Sequence, residues 1–182
     1  MKKFDAIKFK NENKNAIPAL EKKVEDAKQA RRDAWKAYKE AGCTDEGWQA
    51  YKEAEKNEAA AVNALDDATI WASDHLYCNE YLYSDVRPYE VMEIVNERTL
   101  IIREMKAEIK KEAKEALHES FVPGGFVGHF NNDLQDWDIV PDEKGFVTKV
   151  RRHKDGYFYI AGCKGSKFAL NDKPVKFYDY NF

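Results

Sequence analysis

The sequence predicts an α+β fold: an N-terminal antiparallel helical hairpin, followed by a small antiparallel β-sheet or half-barrel. Three observations predict it. Up to Leu76 the apolar residues fall three and four apart, the spacing of one helix face. From Cys78 onward they alternate with a period of two. Turn-forming runs ("NER", "VPGG", "NND", "PDEKG", "KDG", "CKG", "NDKP") punctuate this second region only. The expected division is an arm and helical hairpin over 1–76 and an antiparallel β domain over 77–182.

The first helix is expected over Ile17–Ala41, on the stripe Ile17, Leu20, Val24, Ala27, Ala34, Tyr38 and Ala41, which Arg31 interrupts. Pro18 suits a first helical turn, where its missing N–H costs nothing. Gly42 stops this helix. Thr44 can cap a second, with Asp45 and Glu46 in its positive first turn. The second stripe, Trp48, Tyr51, Val62, Leu65, Thr69, Ala72 and Leu76, carries that helix to about Leu76. Two long helices joined by "GCT" must turn back on each other. Alanine-rich "EAAAVNALDDA" favours helix but buries little area. The seam is therefore expected to pack on the second region or on another copy of the chain.

Strands are expected over Cys78–Tyr83, Tyr89–Val95, Thr99–Met105, Gly125–Phe130, Trp137–Val140, Phe146–His153, Tyr157–Ala161 and Lys167–Leu170. Asp155-Gly156 falls where a hairpin needs positive φ. "MKAEIKKEAKEALH", residues 105–118, reads as a short helix inserted between strands.

Composition limits function. Hydrophobic residues make up 43% of the 182, enough for a core, but no apolar run approaches the roughly 20 residues a membrane helix needs. "MKKFDAIKFKNENKN" lacks the apolar stretch of a secretory signal, so a cytoplasmic location is expected. Cys43, Cys78 and Cys163 form no CxxC and read as reduced thiols. His75 and Cys78 have no second pair nearby, so no metal and no cofactor is expected. Nucleophile motifs are absent, and Asp136/Asp138 read either as a hydrolase pair or as a polar loop entering a strand. The chain is expected not to be an enzyme. Residues 77–145 carry 8 basic and 15 acidic side chains, and residues 146–182 carry 8 against 3. An acidic middle argues against coating nucleic acid, while the basic end permits a local anion site.

Two segments suit such a site. In "YSDVRPYEV", Pro88 fixes its own φ and holds Arg87 extended, while Asp85 can close a turn. Arg87 could then grip a phosphate with two hydrogen bonds, or pair with Asp85 or Glu90. In "VTKVRRHKDGYFYIAGCKGSK", alternation puts Lys149 and Arg151 on one face of their strand and Tyr157 and Tyr159 on one face of its partner, so that the side away from the core could offer a basic, aromatic surface. That pattern suits an anionic ligand with a stacking base, or an ordinary solvated face. "VPGGFVGHF" reads as a turn or a weak phosphate cradle. The aromatic end "KFYDYNF" is expected to dock, into this sheet or a neighbour's.

The corner "YSDVRPYEV", the hairpin strand "RTLIIREM", "RRHKDGYFY" and the terminal "KFYDYNF" together resemble a group of small bacteriophage proteins. Among named proteins, these stretches resemble the first class of Thoeris anti-defence proteins. The likeness covers residues 80–182; the long hairpin and residues 105–123 depart from it. The resemblance implies a sponge that binds cyclic ADP-ribose isomers or cyclic oligonucleotides in the host cytoplasm without cleaving them. It also implies a homo-oligomer, dimer or higher. Phosphates would then fall on Arg87, Arg151 and Lys176, and a base on Tyr89, Tyr157 or Tyr178. The alternatives are a protein-binding inhibitor of a host factor and a nucleic-acid-binding accessory protein.

Overall fold

The computed structural model describes residues 4–124, 128–163 and 165–181. The chain forms two compact units, Ile7–Ser73 and the remainder, Met1–Ala6 with Asp74–Phe182.

The first unit is the helical hairpin, α1 (Ala6–Glu40) and α2 (Asp45–Ala72). Between them Gly42 and Cys43 adopt φ of 75° and 63°, and Thr44 caps α2 by accepting from Gly47 N at 3.3 Å. Helix α1 begins eleven residues before Ile17, so Pro18 lies inside it. The early turns are held by packing that outweighs the missing N–H. Phe9 meets Trp71 edge-on, ring centroids 5.2 Å apart, and Asn13 Nδ2 donates to Phe9 O at 2.8 Å. Helix α2 stops at Ala72, short of Leu76. Its buried positions are Ala61, Ala68 and Trp71, whereas Thr69 of the expected stripe is exposed. The buried seam is therefore set one residue earlier than the expected stripe, on Ala61, Ala68 and Trp71 in place of Val62, Thr69 and Ala72. The Arg31 that interrupts the stripe has a partner across the hairpin: its Nε lies 2.8 Å from Glu58 Oε2. This is an ion pair rather than a directed hydrogen bond, since that buried oxygen has no hydrogen-bond partner among the described residues.

The second unit contains β1 (Tyr77–Tyr81), β2 (Val86–Arg87), β3 (Tyr89–Asn96), β4 (Thr99–Glu104), β5 (Lys106–Ile109), α3 (Lys111–Glu119), β6 (Trp137–Val140), β7 (Val147–Arg152), β8 (Phe158–Ile160) and β9 (Lys167–Asn171). The sheet is a closed antiparallel barrel of six strands, β1-β3-β4-β7-β8-β9, and not an open sheet or half-barrel. Closure comes from β9 lying along all of β1, from Tyr77↔Asn171 to Tyr81↔Lys167. The other edge of β1 is shared. Tyr77 pairs with Glu90 of β3, and Glu80 and Tyr81 pair with Arg87 and Val86 of β2. Closure leaves few unpaired backbone groups for a second chain to exploit.

Cys78, Leu100, Ile102, Val150, Phe158 and Phe168 fill the interior, none more than 1% exposed. Burying each large side chain contributes about 1.5–3 kcal/mol. Asn79, also fully buried, has its polar atoms satisfied by the segment that follows β9. It donates to Lys173 O at 3.1 Å and accepts from Val175 N at 3.0 Å.

Residues 105–118 are not one helix. Lys106–Ile109 is strand β5, paired with β6 from Lys106↔Val140 to Ile109↔Trp137, and the helix starts only after Lys110, whose ψ of 146° is extended. Good helix formers thus yield to a strand partner. The expected strand Gly125–Phe130 is absent over its described residues, apart from a bridge between Val122 and His129. Residues 125–127 of it, and of "VPGGFVGHF", lie outside the described residues, as does Phe182 of the aromatic terminus. Gly128 lacks a Cβ because one would collide with the Phe121 ring.

Candidate functional site

The hairpin β7–β8 turns on residues 154–156. Gly156 N donates to His153 O at 3.2 Å, His153 N to Tyr157 O at 2.9 Å, and Gly156 takes the positive φ, 87°. The Asp155 carboxylate is fixed at both oxygens. Oδ1 accepts from Tyr157 N at 3.1 Å and Oδ2 from the Tyr159 hydroxyl at 2.7 Å. The Tyr159 bond holds the Asp155 carboxyl below its usual pKa and pushes the Tyr159 phenol up.

This turn meets the β3–β4 turn through Arg152 N donating to Arg98 O at 2.8 Å. Together they form an open cleft of about 540 Å³ lined by Arg98, Arg151, Arg152, His153, Lys154 and Asp155. Arg151 stands directly opposite Tyr159 in the ladder, and the Tyr159 ring lies 4.7 Å from that of His153. Among the described residues, Arg98, Arg151 and Lys154 have no carboxylate within ion-pair distance. Unpaired cations around a concave surface, beside two aromatic rings, suit a phosphorylated ligand.

The other expected site residues are elsewhere. Arg151 pairs with Thr99 at the start of β4, while Tyr89 pairs with Glu104 at its end. Five residues of strand, roughly 17 Å, separate the two levels. Arg87 therefore does not share a cleft with Arg151. Its partner is neither Asp85 nor Glu90 but Glu80, whose Oε2 is 4.0 Å from Arg87 Nη1. Glu90 is taken by Arg103, Nη2 to Oε1 2.6 Å. Tyr89 is 4% exposed, edge-on to Phe168 at 5.4 Å, with its hydroxyl 3.4 Å from Glu80 Oε2. Burial pushes its phenol pKa far up, and its ring is core rather than a surface for a base. Lys176 has its pKa lowered by burial and by nearby Arg87, against Asp85 and Glu104; its Nζ is 5.7 Å from the Trp137 ring centre.

Tyr178 belongs to a terminal segment latched onto its own unit. Gln135 Nε2 donates to Tyr178 O at 2.7 Å, and Gln135 Oε1 accepts from Tyr178 N at 3.0 Å. Asn181 treats Phe130 the same way, at 2.6 and 3.0 Å. Phe177 bridges to Val86 of the Arg87 corner. Tyr157 is half-buried, with Lys167 Nζ 4.5 Å from its ring centre.

Of the expected set, then, the cleft takes Arg151, with Tyr157 in its turn. Arg98, Arg152, His153, Lys154 and Asp155 were not expected there. The run "RRHKD" is the signal that could have found four of these; Arg98 is supplied by a turn about fifty residues earlier.

Asp136 and Asp138 share one cation, Lys110 Nζ, at 2.8 and 3.9 Å. The Cys78 thiol is buried and its pKa pushed far up, so it is held protonated. Among the described residues no group of three or more His, Cys, Asp or Glu is placed to hold a metal, and no helix is long and apolar enough to cross a membrane. No family model matches the chain, and neither a curated protein nor a solved structure matches it significantly.

Proposed function

We propose that this protein is a phage-type anti-defence sponge that binds a cyclic nucleotide immune signal, a cyclic ADP-ribose isomer or a cyclic oligonucleotide, without cleaving it. The observation that carries the reading is the cleft at the β7–β8 turn, where Arg98, Arg151 and Lys154 have no carboxylate within ion-pair distance among the described residues. Arg151 and Arg98 take phosphate oxygens, and the Tyr159–His153 pair offers a ring face to a base. The resemblance at the sequence level supplies the ligand class. Function then needs affinity and abundance, not a chemical step, and is exercised in the host cytoplasm by a homo-oligomer, at least a dimer.

The test is thermal unfolding with cyclic ADP-ribose isomers, cyclic dinucleotides and inorganic phosphate. A ligand at a hundred times its Kd adds about 2.7 kcal/mol, a rise of roughly 5–11 °C for a chain of this size. No shift with any cyclic nucleotide overturns the reading.

A second reading, a protein-binding inhibitor, is favoured by the tip of the helical hairpin. Trp35 and Trp48 there are 41% and 39% exposed and cluster with Tyr38 and Tyr51. A protein acting that way is indifferent to cyclic nucleotides.

A further inference from the structure

Asp155 is an anomaly in the cleft: a carboxylate among four cationic side chains and a histidine. A surface shaped only to hold phosphate is weakened by an anion in its lining, because like charge opposes the ligand. We infer that Asp155 is a specificity residue, which accepts hydrogen bonds from the ribose hydroxyls of a phosphorylated ligand and so selects ribonucleotides over other anions. This rests on the phosphate reading of the same cleft.

The geometry supports it in three ways. First, the carboxylate is pre-positioned. Tyr157 N and the Tyr159 hydroxyl hold one oxygen each, at 3.1 and 2.7 Å, so no rotamer freedom is lost when a ligand arrives. Second, it has capacity left. A carboxylate offers about four acceptor sites, two of which are used, and Asp155 is exposed. Third, its neighbours set a direction. Asp155 is bonded to the hydroxyl of Tyr159, the residue paired with Arg151 in the ladder. Tyr159 thus ties the Asp155 carboxylate, through its hydroxyl, to the ladder position opposite Arg151, so both side chains belong to one stretch of the cleft wall. The carboxylate has no cation of its own within ion-pair distance among the described residues, which distinguishes it from a structural ion-pair partner.

The experiment measures calorimetric affinities of the full chain for adenosine 5′-monophosphate, its 2′,3′-dideoxy analogue and inorganic phosphate. Wild type and Asp155→Asn are compared, because the amide oxygen still accepts from Tyr157 N and keeps the turn. For wild type the ribonucleotide is expected to bind roughly 10- to 100-fold tighter than the dideoxy analogue, the value of a hydrogen bond to a charged acceptor. In Asp155→Asn that ratio should fall at least fivefold while affinity for inorganic phosphate rises. An unchanged ratio in the variant, or equal wild-type affinities for the two nucleotides, overturns the role of Asp155 and leaves the phosphate reading standing. Failure of wild type to bind any of the three overturns the role of Asp155, while the phosphate reading falls only if cyclic nucleotides also fail to bind. A melting temperature lowered in Asp155→Asn together with an unchanged ratio identifies Asp155 as a turn residue and overturns the inference.

Discussion

Arg87→Ala removes the only cation within ion-pair distance of Glu80 among the described residues, a guanidinium 4.0 Å from Oε2. Glu80 is 6% exposed, and what remains for it is the Tyr89 hydroxyl at 3.4 Å, a long contact. Stripping one partner from a fully buried pair costs about 3–5 kcal/mol, and exposed pairs are worth about 0.2–1 kcal/mol. The Arg87 side chain is 48% exposed, so water screens the pair and the expected loss is about 1–2 kcal/mol. For a chain of this length that lowers Tm by roughly 2–8 °C. Circular dichroism melts would compare Arg87→Ala, Glu80→Gln and the double variant. Removing the charge from Glu80 relieves the uncompensated carboxylate, so the double variant should regain at least half of the loss. Nucleotide affinity should stay within twofold of wild type, because the cleft is at the other end of β4. An unchanged Tm in Arg87→Ala, accompanied by lost nucleotide binding, would refute the reasoning and return Arg87 to a phosphate.

Pro18→Ala restores a helical N–H in the interior of α1 and should stabilise the hairpin by about 2–3 kcal/mol; a melt no higher than wild type would show that α1 does not run unbroken through residue 18. Asn181→Ala cuts both side-chain bonds to the Phe130 backbone, a loss of about 1–3 kcal/mol, and amide exchange at Phe130 should quicken; unchanged protection means the terminus is not latched. The folded state favours the Asp155 carboxylate, so its stabilising contribution is present above the ordinary value of 3.8 and is lost as pH falls through the lower folded value. In Tyr159→Phe the carboxyl resonance of Asp155 should therefore titrate nearer 3.8; an unmoved titration would mean that the Tyr159 bond does not hold it.

Local signals were legible wherever a residue's own chemistry decides the backbone. Thr44, Gly42 and Gly156 were readable as cap, stop and turn because each role needs that residue type. Trp137–Val140 was readable because its alternation is clean. What depended on partners distant in sequence was not. Pro18 marks a helix start by itself, and only the Phe9–Trp71 contact places it inside one. "KAEIKKEAKEALH" is good helix sequence throughout, and only the ladder with β6 makes its first four residues a strand. Barrel closure rests on β1 and β9 meeting across about ninety residues, which no local pattern encodes. The site divides likewise. Alternation put Arg151 on a cationic face, but the resemblance grouped it with Arg87 and Lys176, which lie together at the corner by the other end of β4. Asp155 was read as a turn residue, and its carboxylate's place in the cleft follows only from Tyr159 being four residues on.

The most direct test of the account is calorimetric titration of cyclic ADP-ribose isomers and cyclic dinucleotides into wild type, Arg98→Glu/Arg151→Glu and Arg87→Ala. The account predicts that at least one such ligand binds wild type. The double cleft variant should lose at least a hundredfold in affinity, from two charge-assisted hydrogen bonds at roughly tenfold or more each, while its Tm without ligand is unchanged and Arg87→Ala binds normally. Wild-type affinity in a folded Arg98→Glu/Arg151→Glu variant would contradict it.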